Sequence, residues 1–247
     1  MPLFLAIAPA PRILAMDGLV LGEHRGGRWI ATESDAFRAR DLGRLRWHPA
    51  WLTATGGGVV SAGIKEETEG YVGAFLSPIH RGVLLSGSKP GRPRRVETLP
   101  KTNAVYGGVL RRWLDAKGMR RSPARITALL RVDLDGDGTK EVIIEARSAE
   151  DLPAVGFDRA SNPVDYSLVL LRGVRNGKAV ELPLDFARAN GPQGSAGESR
   201  LRAIADLDGD GRMEVVLEWR AWEVHAAEVH SYRAGTERTV LQNGTAL

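Results

Sequence analysis

Short apolar stretches alternate with polar residues along most of the chain, and glycine-rich turns separate them. Leu19–Glu23 and Arg28–Thr32 flank His-Arg-Gly-Gly, whereas Ser167–Gly173 and Lys178–Leu182 flank Val-Arg-Asn-Gly. Because glycine and asparagine readily adopt the positive φ angles of tight hairpin turns, both pairs predict β-hairpins. Trp51–Ser86 contains many glycines and β-branched residues without a helical period, and it predicts further strands.

One segment instead has the period of an amphipathic helix. Its predicted buried residues, spaced mostly three or four apart, are Val105, Val109, Trp113 and Leu114. Thr102 or Asn103 can cap the first turn, because a side-chain oxygen accepts hydrogen bonds from amides that have no partner within the helix. Gly118 then ends the helix, and Pro123 prevents its return.

The segment before this helix, Ser86–Lys101, is rich in proline, glycine and basic residues and predicts a long loop. We therefore divide the chain into an N-terminal β region at 1–88, a basic linker and helix at 89–125, and a C-terminal β region at 126–247. The predicted fold is mainly antiparallel β with one principal α-helix.

The C-terminal region contains an internal duplication. Residues 126–146 and 199–219 align at an offset of 73 residues, and each copy predicts a strand, a DLDGDG loop and a second strand. Each copy is followed by a predicted hairpin, the second of them at Val229–Arg233 and Arg238–Leu241. Each repeat therefore predicts a four-stranded antiparallel unit similar to a propeller blade. The two repeats span 126–198 and 199–247.

The duplicated loop has the composition of a cation site. Aspartates at positions 1, 3 and 5 offer hard oxygen ligands, and glycine at position 6 permits the sharp bend between them. The carbonyl of position 7 and the glutamate at position 9 can complete the ligand set. The predicted ligands of the first loop are Asp133, Asp135, Asp137, Thr139 and Glu141. Those of the second loop are Asp206, Asp208, Asp210, Arg212 and Glu214.

This ligand set favours calcium. Oxygen ligands suit Ca²⁺ rather than zinc or copper, and Mg²⁺ demands a stricter octahedral geometry. The carboxylates of one loop also repel one another unless a cation neutralises them. We therefore predict two calcium sites, with the side chains of Lys140 and Arg212 in solvent. The alternative is an acidic turn that Lys140 and Arg212 balance without any metal.

The loops resemble the calcium repeats of the FG-GAP and VCBS type, which read D-x-[DN]-x-D-G-x-x-D before an apolar strand. The matching residues are Asp133, Asp135, Asp137, Gly138 and Val142–Ile144, and Asp206, Asp208, Asp210, Gly211 and Val215–Leu217. Glu141 and Glu214 replace the last aspartate, and their longer side chains can still reach the ion. The resemblance covers the two repeats and implies structural calcium in propeller-like units, without implying an activity. An EF-hand is not expected, because strands flank the loops and no glutamate stands at position 12.

The start of the chain leaves two alternatives open. Pro2–Ala10 is a short apolar stretch ending in small residues, as in a secretory signal, but no positively charged segment precedes it. It is equally acceptable as a buried strand, followed by a second strand at Ile13–Met16. Because the chain also resembles uncharacterised exported bacterial proteins with a helix before two such repeats, we expect an extracytoplasmic location, periplasmic or secreted.

The composition excludes several classes of function. The chain contains no cysteine, which rules out disulfides, zinc–thiolate sites and thiol nucleophiles. It contains no long apolar run, so no membrane-spanning helix is expected. Residues 89–125 carry eleven basic and two acidic side chains. Without interleaved aromatic residues or a known motif, this stretch does not predict a nucleic-acid partner.

Candidate catalytic patterns are incomplete. The glycines near Lys65 lack the order of a phosphate loop. Gln193 stands two residues before Ser195, where a nucleophile elbow requires glycine. Trp219, Trp222 and Tyr232 can form a platform for a sugar or peptide, although aromatic residues in strands more often belong to a core. We expect a calcium-binding, noncatalytic extracytoplasmic module, either structural or binding a protein or polysaccharide. The alternative is a hydrolase of an extracellular polymer that calcium stabilises.

Overall fold

The computed structural model describes residues 12–34, 46–50, 60–61, 63–66, 74–77, 82–87, 94–149, 164–188, 197–221 and 224–246. Within these ranges the chain forms three antiparallel β-sheets and one α-helix. The predicted mainly antiparallel β fold with one principal helix is therefore confirmed. The predictions made for Pro2–Ala10, Ser195 and Trp222 lie outside the described residues.

The strands fall into three sheets, which we name by their place in the chain. The N-terminal sheet contains β1 (Arg12–Met16), β2 (Leu19–Arg25), β3 (Arg28–Ala31), β4 (Arg46–Ala50), β5 (Val60–Ser61), β6 (Gly63–Glu66), β7 (Ala74–Ser77) and β8 (Val83–Ser86). The first-repeat sheet contains β9 (Glu97–Thr98), β10 (Ile126–Val132), β11 (Glu141–Arg147), β12 (Tyr166–Arg175) and β13 (Lys178–Arg188). The second-repeat sheet contains β14 (Glu198–Ala205), β15 (Glu214–Ala221), β16 (Val224–Arg233) and β17 (Thr236–Ala246), and helix α1 spans Ala104–Ala116.

Both repeats form the predicted four-stranded antiparallel units, with strands in chain order. The order is β13-β12-β11-β10-β9 in the first-repeat sheet and β14-β15-β16-β17 in the second. The N-terminal sheet has the order β5-β4-β8-β1-β2-β7-β6, and β3 pairs with β2. The segment predicted as a loop before the helix adds β9 to the edge of β10, where Glu97 pairs with Arg131 and Thr98 with Leu130.

Tight turns close the hairpins where the sequence predicts them. In the β12–β13 turn, Asn176 and Gly177 have φ angles of 51° and 72°. Positive φ at both central residues matches the right-handed twist of the flanking strands, which explains why Asn-Gly occupies this turn. Two-residue turns also join β2 to β3 and β16 to β17, so the three predicted hairpins are confirmed.

Helix α1 has the predicted caps but a different buried face. The Asn103 Oδ1 accepts hydrogen bonds from the amides of Val105 and Tyr106, at 3.1 Å and 3.4 Å, and Gly118 follows the helix with φ of 78°. The buried residues of the helix are Val109, Leu110, Trp113 and Leu114. Val105 is 66% exposed, so its predicted burial is wrong. At about 100° per residue, Leu110 and Leu114 turn the buried face away from Val105.

Three apolar cores join the helix and the sheets into one stack. The helix packs on one face of the first-repeat sheet, where Leu110 and Ile144 share a core. The other face of that sheet, which includes Ile143, packs against the second-repeat sheet. The second-repeat sheet packs on its far side against the N-terminal sheet. Neighbouring strand residues point to opposite faces, which explains why the apolar run Val142–Ile144 serves two cores.

These cores cross both predicted domain boundaries. Leu14 and Leu21 of the N-terminal sheet share a core with Ala205 and Val229 of the second-repeat sheet. The division into units at 1–88, 89–125 and 126–247 stays a prediction about separate folding. The packing itself places the two repeat sheets between the helix and the N-terminal sheet.

Candidate metal centres

The first aspartate of each loop closes the loop on itself. Asp133 accepts hydrogen bonds from the amides of Gly136 and Gly138, at 2.6 Å and 3.2 Å. The second loop repeats this geometry, with Asp206 accepting from Gly209 and Gly211 at 2.6 Å and 3.2 Å. The glycines at positions 4 and 6 have φ between 80° and 88° in both loops. These are angles that other residues rarely adopt, so the glycine spacing dictates the loop shape.

The aspartates at positions 3 and 5 are fixed in the same way. In the first loop Asp135 accepts from the Asp137 amide at 3.3 Å, and Asp137 accepts from the Thr139 amide at 2.6 Å. In the second loop Asp208 accepts from the Asp210 amide at 2.9 Å, and Asp210 accepts from the amide of Arg212, two residues further on, at 2.8 Å. One carboxylate oxygen of each aspartate therefore braces the backbone and leaves the second oxygen to face other groups.

The glutamates at position 9 are buried at the start of the next strand. Glu141 and Glu214 are 1% and 2% exposed. Their Oε2 atoms accept hydrogen bonds from the amides of the loop leucines, from Leu134 at 2.9 Å and from Leu207 at 2.7 Å. A buried carboxylate with one such bond still lacks a compensating charge, which is costly in a protein interior.

The pKa values of these two glutamates show that cost. Burial raises the pKa of Glu141 to about 7, and the charges of Asp135 and Asp137 add to the effect. Burial raises the pKa of Glu214 to about 8, and the negative charge of Asp208 is the next largest cause of the increase. A cation held in the loop would favour the ionised form of both groups.

The structure brings most of the predicted ligands together. Oxygens of Asp133, Asp135 and Glu141 all lie within 4.8 Å of one another, as do oxygens of Asp206, Asp208 and Asp210. Asp137 and Glu214 belong to the same loops but lie outside these two sets of oxygens. The main-chain carbonyls of Thr139 and Arg212 stay predicted ligands. Each loop thus offers three converging carboxylates to one cation, and a donor set made of oxygens fits a hard ion such as calcium.

The neighbouring cations, Lys140 and Arg212, remain partly exposed to solvent, but each also forms an ion pair. The Arg212 Nη1 lies 2.6 Å from the Asp210 Oδ2, so part of the charge balance proposed in the metal-free alternative is present in the second loop. This happens because the two side chains leave the same turn and both are partly exposed. Lys140 instead forms an ion pair with Glu97 on the neighbouring strand. The hydrogen bonds from Lys140 and Arg131 lower the pKa of Glu97 to about 2.

Two arginines from outside the repeats contact the loops in the same manner. The Arg94 Nη1 donates to the carbonyls of Asp133 and Leu134, at 3.1 Å and 3.0 Å. The Arg12 Nη1 donates to the Leu207 carbonyl at 3.0 Å. Each guanidinium lies against the position 4 glycine, where a Cβ would overlap it. Sequence analysis missed both arginines, although the repeated glycine at position 4 is a signal that something approaches the loop closely.

Each loop also meets the hairpin of the next sheet. The Ala234 amide, in the β16–β17 turn, donates to the Asp135 Oδ2 at 2.7 Å. At the second loop, the His24 Nε2 from β2 lies 3.9 Å from the Asp208 Oδ2. Position 3 of each loop is therefore in contact with the adjacent sheet, and the loops belong to the interfaces between sheets.

A third acidic group has a different character. Asp17, Glu218 and His225 lie close enough to hold an ion, but Arg202 forms ion pairs with both carboxylates and Arg220 forms another with Glu218. Burial opposes ionisation of Glu218, yet His225 and the two arginines lower its pKa to about 2. The charges are already balanced, so we assign this group to the packing of the second-repeat sheet on the N-terminal sheet.

The first repeat has the counterpart of this ion network. Glu145 and Arg147 lie 73 residues before Glu218 and Arg220, and Arg147 pairs with Glu145 and with Glu198 of the next sheet. The repeated sequence therefore extends beyond the loop to a Glu-x-Arg sequence in the following strand. The duplicated Glu-x-Arg sequence is therefore a feature of the sequence alone that indicates this ion network.

Tyr232, one of the three residues of the possible aromatic platform, is not exposed to a ligand. Tyr232 is 3% exposed and belongs to the core between the two repeat sheets. Trp219 is partly buried, and its ring lies where a Cβ at Gly197 would stand. Tyr232 therefore belongs to the core, as aromatic residues in strands usually do.

Protein-family models, curated proteins and solved structures were compared with the chain, and none of them matches it. In the part of the chain that the structure describes, no helix is long and apolar enough to cross a membrane.

Proposed function

We propose that the chain is a calcium-binding, noncatalytic structural or binding module of the FG-GAP and VCBS type that acts outside the cytoplasm. The observation that carries the proposal is the equivalence of the two loops. Asp133, Asp135 and Glu141 converge in the first loop, and Asp206, Asp208 and Asp210 converge in the second. In both loops the buried glutamate accepts a hydrogen bond from the amide of the loop leucine. Burying that much negative charge in two places is costly, and a bound cation offsets the cost.

The proposed role of calcium is to fasten neighbouring sheets. The leucines at position 2, Leu134 and Leu207, are fully buried. Leu134 packs between the two repeat sheets, and Leu207 packs between the second-repeat and N-terminal sheets. Because the ion would be held by the residues on either side of each leucine, its binding would stabilise both interfaces. The partner of such a module would be a protein or a polysaccharide.

Isothermal titration calorimetry tests the proposal. Protein freed of metal with a chelator should bind two calcium ions, and the double variant Asp135→Ala/Asp208→Ala should bind none. Alanine removes the ligand oxygens altogether, whereas asparagine, which the repeat pattern accepts at position 3, would keep one. Asp115→Ala is a matched control, because Asp115 is an exposed helical aspartate paired with Arg111. Absence of calcium binding in the unmodified protein would refute the proposal.

A hydrolase is the weaker candidate. Of the described acidic groups outside the two loops, Glu218 and Glu145 are paired with arginines, and Glu228 and Glu237 are paired with His230. We therefore assign no catalytic residue.

A further inference from the structure

The two loops are in direct contact through one side chain. The guanidinium of Arg94 donates to the carbonyls of Asp133 and Leu134 in the first loop. The same guanidinium also donates through Nη2 to the Gly211 carbonyl in the second loop. Arg94 is separated from Gly211 by 117 residues, so this bridge exists only in the folded stack.

A second link runs through the main chain. The Met213 amide donates to the Leu134 carbonyl at 2.8 Å. Gly211 and Met213 are positions 6 and 8 of the second loop, and they flank Arg212, whose carbonyl is the predicted position 7 ligand. The first loop therefore holds both neighbours of a main-chain ligand of the second loop.

We propose that Arg94 couples the two loops, so that calcium in one raises the affinity of the other. This inference rests on the proposed calcium function. An ion in the first loop would fix the backbone at Asp133 and Leu134, and with it the Arg94 guanidinium and the Leu134 carbonyl. The second loop would then bind its ion with less loss of backbone freedom, which is a source of positive cooperativity.

Linkage makes the effect reciprocal. If calcium in the first loop raises the affinity of the second loop by some factor, calcium in the second raises the affinity of the first by the same factor. We expect a factor of about ten, which lies within the usual range of coupling between sites.

The chain supplies a matched control in Arg12. Its guanidinium contacts the Leu207 carbonyl and the position 4 glycine of the second loop, as Arg94 does in the first. No described hydrogen bond of Arg12 reaches the first loop. Arg12→Gln should therefore change the second loop without uncoupling the loops, whereas Arg94→Gln should uncouple them.

Calorimetric titration measures the coupling without assigning sites. The product of the two stepwise binding constants of the unmodified protein is divided by the product of the constants of Asp135→Ala and Asp208→Ala, each of which keeps one site. We expect a ratio of about ten in the unmodified protein and in Arg12→Gln, and a ratio of about one when all three proteins carry Arg94→Gln. A ratio of one in the unmodified protein would overturn the coupling while leaving calcium binding intact.

Hydrogen exchange in the presence of a chelator tests the link without any ion. The Met213 amide should exchange faster in Arg94→Gln than in Arg12→Gln, because its acceptor at Leu134 loses its support. If calcium fails to bind but this difference is found, the calcium function is wrong and the contact between loops stands. Equal Met213 exchange in the two variants would overturn the role of Arg94.

Discussion

The two acidic loops share their backbone hydrogen bonds but differ in the residues around them. The first loop is bridged by Arg94 to the second loop, and Lys140 turns away to Glu97. The second loop is held by Arg12 and carries its own ion pair, between Arg212 and Asp210. The difference shows that the DLDGDG sequence specifies the local shape of the loop, whereas residues distant in sequence determine its surroundings.

Equivalent positions of the two repeat sheets differ as well. Arg172 of β12 and His230 of β16 occupy equivalent places, since they pair with Val142 and Val215, which are 73 residues apart. The first-repeat sheet places a permanently charged guanidinium 4.0 Å from Glu181. The second-repeat sheet places an imidazole 2.7 Å from Glu237. Of these two positions, the one in the second-repeat sheet therefore carries a group that titrates near neutral pH, and the other carries a permanent charge.

The largest expected effect comes from the loop leucines. Leu134→Ala and Leu207→Ala should each lower the free energy of unfolding by about 2–5 kcal/mol, because each leaves a cavity in a fully buried core. Urea denaturation in saturating calcium measures the loss. Val105→Ala, at an exposed position of the helix, should change stability by less than about 0.5 kcal/mol. If only one of the two leucine variants loses less than about 1 kcal/mol of unfolding free energy, the two loops do not contribute equally to the stability of the sheet interfaces.

Calcium itself should give the next largest effect. An ion that binds only the folded protein adds about 2.7 kcal/mol per site at one hundred times its dissociation constant. Thermal unfolding in calcium and in excess chelator should therefore differ clearly. Asp135→Ala and Asp208→Ala should each retain part of the shift, since each keeps one loop. Identical unfolding curves in calcium and chelator would contradict structural calcium binding in both loops.

The stability that His230 contributes should depend on pH to a similar extent. Burial alone lowers the pKa of His230, but the carboxylates of Glu228 and Glu237, which favour the protonated ring, outweigh burial and raise the pKa to about 9. Since the folded pKa exceeds the unfolded value, the stabilisation is complete below about pH 6.5 and is lost as the pH rises through about 9. The loss should be about 2–3 kcal/mol.

Urea denaturation between pH 6 and pH 10 measures this loss. His230→Gln should remove most of the fall in stability, whereas Arg172→Gln should leave its slope unchanged because arginine stays charged. An unmodified protein with constant stability over this range would contradict the proposed protonation of His230.

Much of the fold was predictable because its signals are local. Asn-Gly and the other glycine-containing turns fixed the hairpins, and Asn103 and Gly118 marked the ends of the helix. The four-stranded repeats followed from the duplication. Val105 was misplaced because the helical period alone does not show which of two overlapping faces meets the sheet.

The surroundings of the loops were not predictable in the same way. Arg12 lies 195 residues from Leu207, and Arg94 lies 117 residues from Gly211, so their contacts depend on how whole sheets stack. Neither arginine belongs to the repeat, and therefore no internal comparison points to it. The Glu-x-Arg sequence shared by Glu145 and Glu218 is the opposite case, since the duplication contains it.

The smallest expected difference is the one between the calcium affinities of the two loops. The ligand types are the same in both, so the intrinsic affinities should lie within about tenfold, or about 1.4 kcal/mol. Arg212 lowers the calcium affinity of the second loop, because its guanidinium must leave Asp210 Oδ2 before that oxygen can bind an ion. A partly exposed ion pair is worth no more than about 1 kcal/mol, so its cost to calcium binding is small.

Calorimetric titration of single-loop proteins measures that cost. Arg212→Gln in the Asp135→Ala background should strengthen binding at the second loop by no more than about fivefold. Lys140→Gln in the Asp208→Ala background should leave the affinity of the first loop within about twofold, because Lys140 pairs with Glu97 and not with a ligand. A gain of a hundredfold or more in Arg212→Gln would mean that this arginine already occupies the cation position. The second loop would then be an acidic turn balanced by its own arginine, and the first loop would be the calcium site.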